Sequence, residues 1–322
     1  MVTLITRCYV GETDLQSIAD LLNVCEIVDR GDTYYTITGL QLEFTEPNCD
    51  TDRDIRLWYD RAGQLIAFGQ LWMPAEFTDR VDGFLWFRVH PTARQHTLEN
   101  EVIVWAEERI REVAQVQNLP ARLSVSCRDN QTEHIALFEQ SKFAYERCFL
   151  RMVRSMADPI PLLQLPQDFT LQCGDQIDRS DWVEMHNQSF IDHWNFHPMT
   201  IEQANHRLND SMYRPDLDLV AVAADGTYAA FCYAYIDTEE NQHKERLEGH
   251  ISLLGTRRGF RRLGLGRAML LAGLRRLKAA GMETVTIGVD AQNPYQANKL
   301  YESVGFCKQR ANLEFAKQWH FN

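Results

Sequence analysis

Apolar residues in the C-terminal part of the chain follow two different periods. From Arg267 to Ala280 they recur with the spacing of an amphipathic helix, whereas 250–256 and 284–290 are typical of strands. Residues 293–306 indicate a short helix that turns into a third strand. The order strand, helix, strand, helix predicts an α/β fold with helices packed on a sheet.

The N-terminal half repeats this pattern loosely. Residues 83–91 and 122–127 are expected to form strands, and the helix between them is predicted by apolar positions 102, 105, 106, 110, 113 and 116. Residues 135–143 resemble 299–306. Three prolines in 156–167 disfavour helix and favour an extended linker. We therefore predict two domains, 1–155 and 168–322.

Length and composition fit two globular domains. The chain has 322 residues, of which 45% are hydrophobic, and domains of about 150 residues are common. No run approaches the ~18 apolar residues of a membrane helix, and the first residues reach Glu12 and Asp14 too soon for a signal-peptide core. The eight cysteines show no metal or redox spacing, which favours reduced thiols in a cytoplasmic protein without a metal site.

Charge is distributed unevenly along the chain. The net charge is −12, which argues against a nucleic-acid partner. Residues 257–282 nevertheless contain eight basic side chains and no acid, whereas 168–250 contain sixteen acids against five Lys and Arg. A basic segment beside an acidic one suits a polyphosphate ligand together with a cationic one, although solvated helix faces and loops would also account for it.

The sequence Arg-Arg-Leu-Gly-Leu-Gly at 261–266 directly precedes the predicted helix at 267–280. Glycines let the backbone approach an anion closely, and the first helical turn offers unpaired N–H groups at the positive end of its dipole. The loop therefore predicts a diphosphate site, although two glycines before a helix are also ordinary turn residues.

Three motifs in register resemble the GCN5-related N-acetyltransferase (GNAT) family. They are the strand ending at Thr256, the glycine loop, and Leu-Tyr-Glu-x-x-Gly-Phe at 300–306, within 248–306. The resemblance implies two tandem GNAT-like domains, each a mixed, mostly antiparallel twisted sheet flanked by helices, with a splay between central strands. It implies acetyl-CoA as the co-substrate.

The first copy lacks the corresponding chemistry. Its loop, 94–99, has no glycine and ends in Glu99, which would repel a diphosphate. Phe138 stands where the second copy has Tyr301, and a phenyl ring has no proton to give. We therefore expect the first domain to be structural rather than a second active site.

Two catalytic roles follow from the resemblance. Tyr301 would protonate the departing thiolate, since a phenol keeps its proton at neutral pH. The family often has a glutamate base eleven residues before the loop, where this chain has His250, and an imidazole suits proton acceptance near neutrality. Glu248, two residues earlier on the same strand face, is the alternative base or an orienting group. Each of these residues has an ordinary packing role as its alternative.

Binding residues follow in the same way. In the family the strand backbone pairs with the pantetheine arm, the loop N–H groups hold the diphosphate, Arg262 or Arg267 reaches a phosphate, and two asparagines lie along the pantetheine. The segment after the first strand walls the acceptor pocket. The expected donor residues are Leu254, Gly255, Thr256, Arg261, Arg262, Leu263, Gly264, Leu265, Gly266, Arg267, Asn293 and Asn298, and the expected acceptor residues are Asn187, Asp192, His193 and Trp194.

The function expected from these observations is acetyl transfer from acetyl-CoA to a primary amine of a small molecule. Direct attack is favoured, because no cysteine lies within the catalytic motifs. Peptide or protein amines are alternative acceptors, and a non-catalytic acyl-CoA binder or sensor is an alternative class. Tyr301 discriminates between a transferase and a non-catalytic binder, since a pure binder has no use for a phenol beside the leaving sulfur. Neither a metal, a nucleic acid nor a membrane is expected as a partner.

Overall fold

The structure, a computed structural model, describes residues 4–320. It contains two compact units. The first is formed by the chain up to Arg147 together with the residues from Asn312 onward, and the second is Cys148–Ala311. Among the described residues, no helix combines the length and the apolar character needed to cross a bilayer.

The first unit is a mixed sheet with helices packed against it. Its helices are α1 (Glu12–Val28), α2 (Ile37–Phe44), α3 (Thr51–Asp54), α4 (Thr97–Gln117) and α5 (Thr132–Gln140). Its strands are β1 (Ile5–Cys8), β2 (Ile55–Tyr59), β3 (Leu65–Trp72), β4 (Val81–Val89) and β5 (Ala121–Arg128). These strands are antiparallel neighbours in order, except that β4 and β5 are parallel. The apolar face of α4 is buried in the core, as its helical period predicts.

The second unit repeats this plan. Its helices are α6 (Arg179–Phe190), α7 (Ile201–Leu208), α8 (Thr238–His243), α9 (Leu265–Ala279) and α10 (Ala297–Glu302). Its strands are β7 (Phe169–Cys173), β8 (Asp218–Ala223), β9 (Tyr228–Tyr235), β10 (Glu248–Thr256) and β11 (Thr284–Asp290), with β6 (Ala144–Ser155) and β12 (Cys307–Trp319) spanning the unit boundaries. Within residues 4–320, β10 and β11 pair in parallel, whereas β7 with β8, β8 with β9, β9 with β10 and β6 with β11 are antiparallel. The predicted α/β fold, mostly antiparallel and flanked by helices, is confirmed.

The unit boundaries differ from the predicted 1–155 and 168–322. Residues 149–155 of β6 pair with β11, whereas 312–319 of β12 pair with β5. Each unit is thus completed by a strand that the repeat pattern assigns to the other half. The proline-rich 156–167 belongs to the second unit, where Ile160, Leu163 and Leu165 pack on the core. Proline disfavours helix, but it does not prevent a segment from packing.

The two central strands of the second unit part along their length. They pair from Glu248 and Thr284 only as far as Ile251 and Ile287. A register shift follows in β10 before Leu253, after which β10 stays with β9 and β11 stays with β6. A bulge of this kind bends a strand away from its neighbour. The splay expected between the central strands is present.

Candidate active site

A cavity of about 400 Å³ lies in the second unit, beside the diverging end of β10 and the start of α9. Pockets of this size accommodate small organic ligands. It is lined by Ser189, Phe190, Asp192, His193, Leu254, Gly255, Thr256, Arg261, Arg262, Gly264, Leu265, Gly266, Arg267, Asn293, Pro294, Tyr295, Ala297, Leu300 and Tyr301. Most of the predicted donor residues therefore share one cavity, and Leu263 and Asn298 are not part of its lining.

The loop before α9 has the backbone of an anion cradle. Arg262 and Gly264 both have positive φ, 67° and 86°, and Gly264 is the residue that caps α9. No acidic side chain lies in the first turn of that helix. A Cβ on residue 266 would lie 3.5 Å from Thr256 Oγ1, an ordinary contact. Glycine at 266 therefore keeps the cavity open rather than relieving a clash, and the helix dipole favours an anion there.

Arg261 holds the loop in place by bonds to the protein itself. Its guanidinium donates to the carbonyl oxygens of Thr256 (3.2 Å) and Ser189 (2.9 Å) and to Asp192 (2.7 Å). It also stacks on the ring of Tyr295, 4.5 Å from the centroid. These contacts link β10, α6 and the loop before α10. That Arg262 or Arg267 reaches a phosphate stays a prediction.

Asp192 is one of the expected acceptor residues, but its charge is already paired with Arg258 and Arg261. Hydrogen bonds from Arg258 and then Arg261 lower the pKa of this carboxyl far below its usual value. The hydroxyl of Tyr295 donates to the same carboxylate at 3.1 Å. Asp192 thus anchors the end of α6 to the basic loop, and this pairing weakens the case for Asp192 as an acceptor ligand.

The other three expected acceptor residues have different surroundings. His193 lines the cavity, and its Nδ1 lies 3.2 Å from the carbonyl oxygen of Trp194. Trp194 packs its ring against Phe149, with 6.1 Å between the centroids. Asn187 bonds to both the backbone N–H and the carbonyl of Met199. Of these three, only His193 contributes to the cavity lining.

Tyr301 lies on α10 and lines the cavity, although only 6% of the residue is exposed. Burial raises the pKa of its phenol above the ordinary value, so the group keeps its proton throughout the neutral range. Its ring packs against Phe306, with the centroids 6.1 Å apart. Such a phenol is suited to donating a proton or a hydrogen bond to an atom within the cavity.

His250 and Glu248 lie in a buried polar cluster apart from the cavity lining. His250 is 8% exposed, stacks on Tyr235 at 4.8 Å, and places Nδ1 2.7 Å from Thr286 Oγ1. Glu248 accepts from Arg151 at 2.9 Å and pairs with Arg246 at 3.1 Å. Burial, with a smaller effect of the two arginines, lowers the pKa of His250 to about 3.

The geometry around His250 does not favour proton acceptance. Nε2 lies 3.8 Å from carboxylate oxygens of Glu240 and Glu248, so a proton is stabilised on that nitrogen. Nδ1 then accepts from the hydroxyl of Thr286, and its lone pair is occupied. The assignment of His250 as base remains a prediction from its position in the sequence, and Glu248 is likewise held by two arginines.

Several lining residues do not stand out from the sequence. Leu300 adjoins Tyr301 in the motif and could have been found from it. Ser189 and Tyr295 meet in the cavity through Arg261, from segments about a hundred residues apart. No local pattern reports such a contact.

The comparison with known families agrees with the site. The profile described as "Acetyltransferase (GNAT) family" matches residues 179–306. The match lies within the second unit and contains the motifs that resemble this family.

Particular relatives are mycothiol acetyltransferases. The chain is 29% identical to that of Acidothermus cellulolyticus over 180 residues, which are 53% of this chain and 54% of the relative. It is 32% identical to that of Nocardiopsis dassonvillei over 141 residues, 43% of this chain and 42% of the relative. The matches thus span about half the length of these curated relatives. They agree with the resemblance in organisation to mycothiol synthase that the intact second copy and the weakened first copy suggest.

Solved structures extend the likeness to both units. A GCN5-related N-acetyltransferase from Sphaerobacter thermophilus has a TM-score of 0.75 at 21% identity, covering 98% of this chain and 95% of its own. A tandem GNAT protein from the clavulanic acid biosynthesis pathway has a TM-score of 0.71 at 13% identity, covering 99% and 100%. At these identities the likeness establishes the tandem fold alone.

Proposed function

We propose that this chain transfers an acetyl group from acetyl-CoA to a primary amine of a small molecule, by direct attack of the amine on the thioester. The observation that carries the proposal is the cavity itself. It joins a helix N-terminus without acidic side chains to the splayed end of a strand and to a buried phenol. Relatives described as mycothiol acetyltransferases support the reaction class.

The donor would lie along the strand end and the loop. Backbone groups of Leu254–Thr256 pair with β9 on one edge only, because β11 has diverged, so the other edge is available for the amides of pantetheine. N–H groups from Arg262 to Arg267 are oriented for a diphosphate. Asn293 lines the same cavity, and the role of Asn298 stays an expectation from the family resemblance.

Tyr301 is the proposed proton donor to the departing thiolate. A thiol of pKa ~8.5 leaves more readily when its sulfur receives a proton or a hydrogen bond. Burial keeps the phenol protonated, and its position in the cavity lining allows contact with a ligand. Phe138, the corresponding residue of the first unit, cannot perform this step.

His193 is the proton acceptor that we propose for the amine. The carbonyl oxygen of Trp194 can only accept, so His193 Nδ1 carries the hydrogen of that contact and Nε2 keeps a lone pair. His193 also lines the donor cavity, which His250 does not. An imidazole so placed can take a proton from the attacking amine directly or through one water.

A thiol-release assay with a panel of amines tests the function. Small primary amines should release free CoA from acetyl-CoA faster than water alone does, and the acetylated amine should be identifiable by mass spectrometry. Peptides with free N-termini belong in the same panel, because their acetylation would support a peptide or protein amine as the acceptor. Tight binding of acetyl-CoA without release by any amine would favour the non-catalytic binder.

A further inference from the structure

The first unit keeps a smaller cavity at the start of its own long helix, α4. Its volume is about 150 Å³. Four of its lining residues occupy the same motif positions as donor-cavity residues of the second unit, namely Arg261, Gly266, Ala297 and Leu300. The lining consists of Arg94, His96, Glu99, Glu133, His134 and Leu137.

The positive side chain of this cavity is already neutralised. Arg94 makes two bonds to the carboxylate of Asp29, 2.5 and 2.9 Å, and a third to the carbonyl oxygen of Val89 at 3.0 Å. Burial lowers the pKa of His134 to about 4, so its imidazole is uncharged near neutral pH. Neither group therefore attracts an anion.

The negative side chains lack such compensation. Glu99 is only 6% exposed, and within residues 4–320 its Oε2 has no hydrogen-bond partner. A buried carboxylate oxygen without a donor is costly, because it has lost water and gained nothing. Glu133 adds a second, solvent-exposed carboxylate to the same lining. The unpaired charge of the cavity is negative, opposite to that of the donor loop.

We propose that this cavity binds a small organic cation carrying a primary ammonium group, with Glu99 as its main ligand and Glu133 as a second carboxylate. The ammonium supplies the donor that Glu99 Oε2 lacks, and charge-assisted hydrogen bonds of this type are among the stronger ones. The volume admits a short alkylamine and excludes a CoA-sized molecule. This site does not depend on the function proposed for the second unit.

Calorimetry of the full chain with butylamine and 1,4-diaminobutane tests the site. The wild-type protein should bind either amine, and Glu99→Gln should weaken binding at one site about tenfold or more, in line with the loss of a charged hydrogen-bond partner. Glu108→Gln, an exposed position on α4, is the matched control and should bind as the wild type does. Any amine site in the second unit would persist in Glu99→Gln and is counted separately.

Other ligands and variants make the test decisive. Butanol, which has the same chain without the charge, should not bind. Glu99→Asp should recover part of the affinity, and thermal unfolding of Glu99→Gln should show an intact fold, since the change removes an unpaired buried charge. The proposal is overturned if the wild type binds neither amine, if Glu99→Gln binds as tightly as the wild type, or if butanol or inorganic phosphate binds this cavity in place of the amines.

Discussion

The starts of α4 and α9 share a backbone and differ in chemistry. Both helices follow a residue in the left-handed region, His96 with φ 62° and Gly264 with φ 86°. The first turn of α9 has no acid, whereas that of α4 contains Glu99. The cavities beside them measure about 400 and 150 Å³. The fold thus preserves the start of the helix, while one or two side chains decide which sign of charge a ligand there must carry.

The short helices α10 and α5 make the same contrast. Tyr301 lines the donor cavity, whereas its counterpart Phe138 is 1% exposed and packs against Phe87, Phe143 and Phe315. Both rings are buried, so burial of an aromatic at this position is common to the two units. The hydroxyl group is what distinguishes a residue that could act on a ligand from one that only packs.

The largest expected effect comes from giving α9 the acid of α4. Gly266→Glu should reduce acetyl-CoA affinity by roughly a thousandfold, because the added carboxylate would occupy the space of the diphosphate and take its place at the positive end of the helix dipole. Gly266→Ala is the control. Its Cβ meets Thr256 and Leu300 only at ordinary contact distances, so binding should largely survive. Calorimetry measures both, and undiminished binding by Gly266→Glu would show that the donor lies elsewhere.

Tyr301→Phe makes the second unit resemble the first at the proposed leaving group. The turnover number should fall by about a hundredfold or more while acetyl-CoA affinity changes little, because a proton donor acts mainly in the transition state. Phe138→Leu, the matched change in the first unit, should leave turnover unaltered. Steady-state kinetics with a responsive amine, together with calorimetry, separate the two effects. A normal rate in Tyr301→Phe would reduce Tyr301 to a packing residue.

The sequence predicted those parts of the molecule that depend on neighbours in the chain. The glycine loop, α9 and the flanking strands are contiguous, and their periodicity reports directly which face is buried. Predicted helix bounds of 99–117 and 267–280 lie within two residues of α4 and α9.

The parts that escaped prediction depend on distant contacts. The pattern at 293–306 predicts a strand after the last helix, but not that residues 312–319 pair with β5 while residues 149–155 pair with β11. Asp192 looked like an available carboxylate because Arg258 and Arg261 follow it by more than sixty residues. The catalytic role predicted for His250 follows from its distance along the sequence from the loop. That distance carries no information about the contact between Thr286 and the ring nitrogen of His250.

The choice between His193 and His250 is tested by the same substitution at both sites. His193→Gln should lower kcat/KM by about a hundredfold, since glutamine cannot take the amine's proton. His250→Gln should retain most of the activity, because an imidazole with a pKa of about 3 is too weak a base to hold the amine's proton near neutral pH and its lone pair is engaged. Profiles of kcat/KM against pH measure this. A large loss confined to His250→Gln would return the role to the residue that the family pattern indicates.

The smallest expected effect concerns the stability of the two units in mild acid. Burial lowers the pKa of His134 in the first unit to about 4, and of His186 and His250 in the second unit to about 4 and 3. Each imidazole stays neutral when folded but takes a proton near pH 6.5 when unfolded. Its stabilising contribution is therefore complete above about pH 6.5 and is lost as the pH falls toward the folded value.

The loss is about 2 kcal/mol per imidazole between pH 7 and pH 5, so the second unit, with two such groups, should weaken more than the first. Urea unfolding at both pH values, followed by hydrogen exchange in each unit, measures this. His250→Gln should remove about half of the acid sensitivity that the two buried imidazoles give the second unit, whereas His320→Gln, at an exposed position, should remove none. Equal slopes in the two variants would mean that His250 gains its proton in the folded protein as readily as in the unfolded chain.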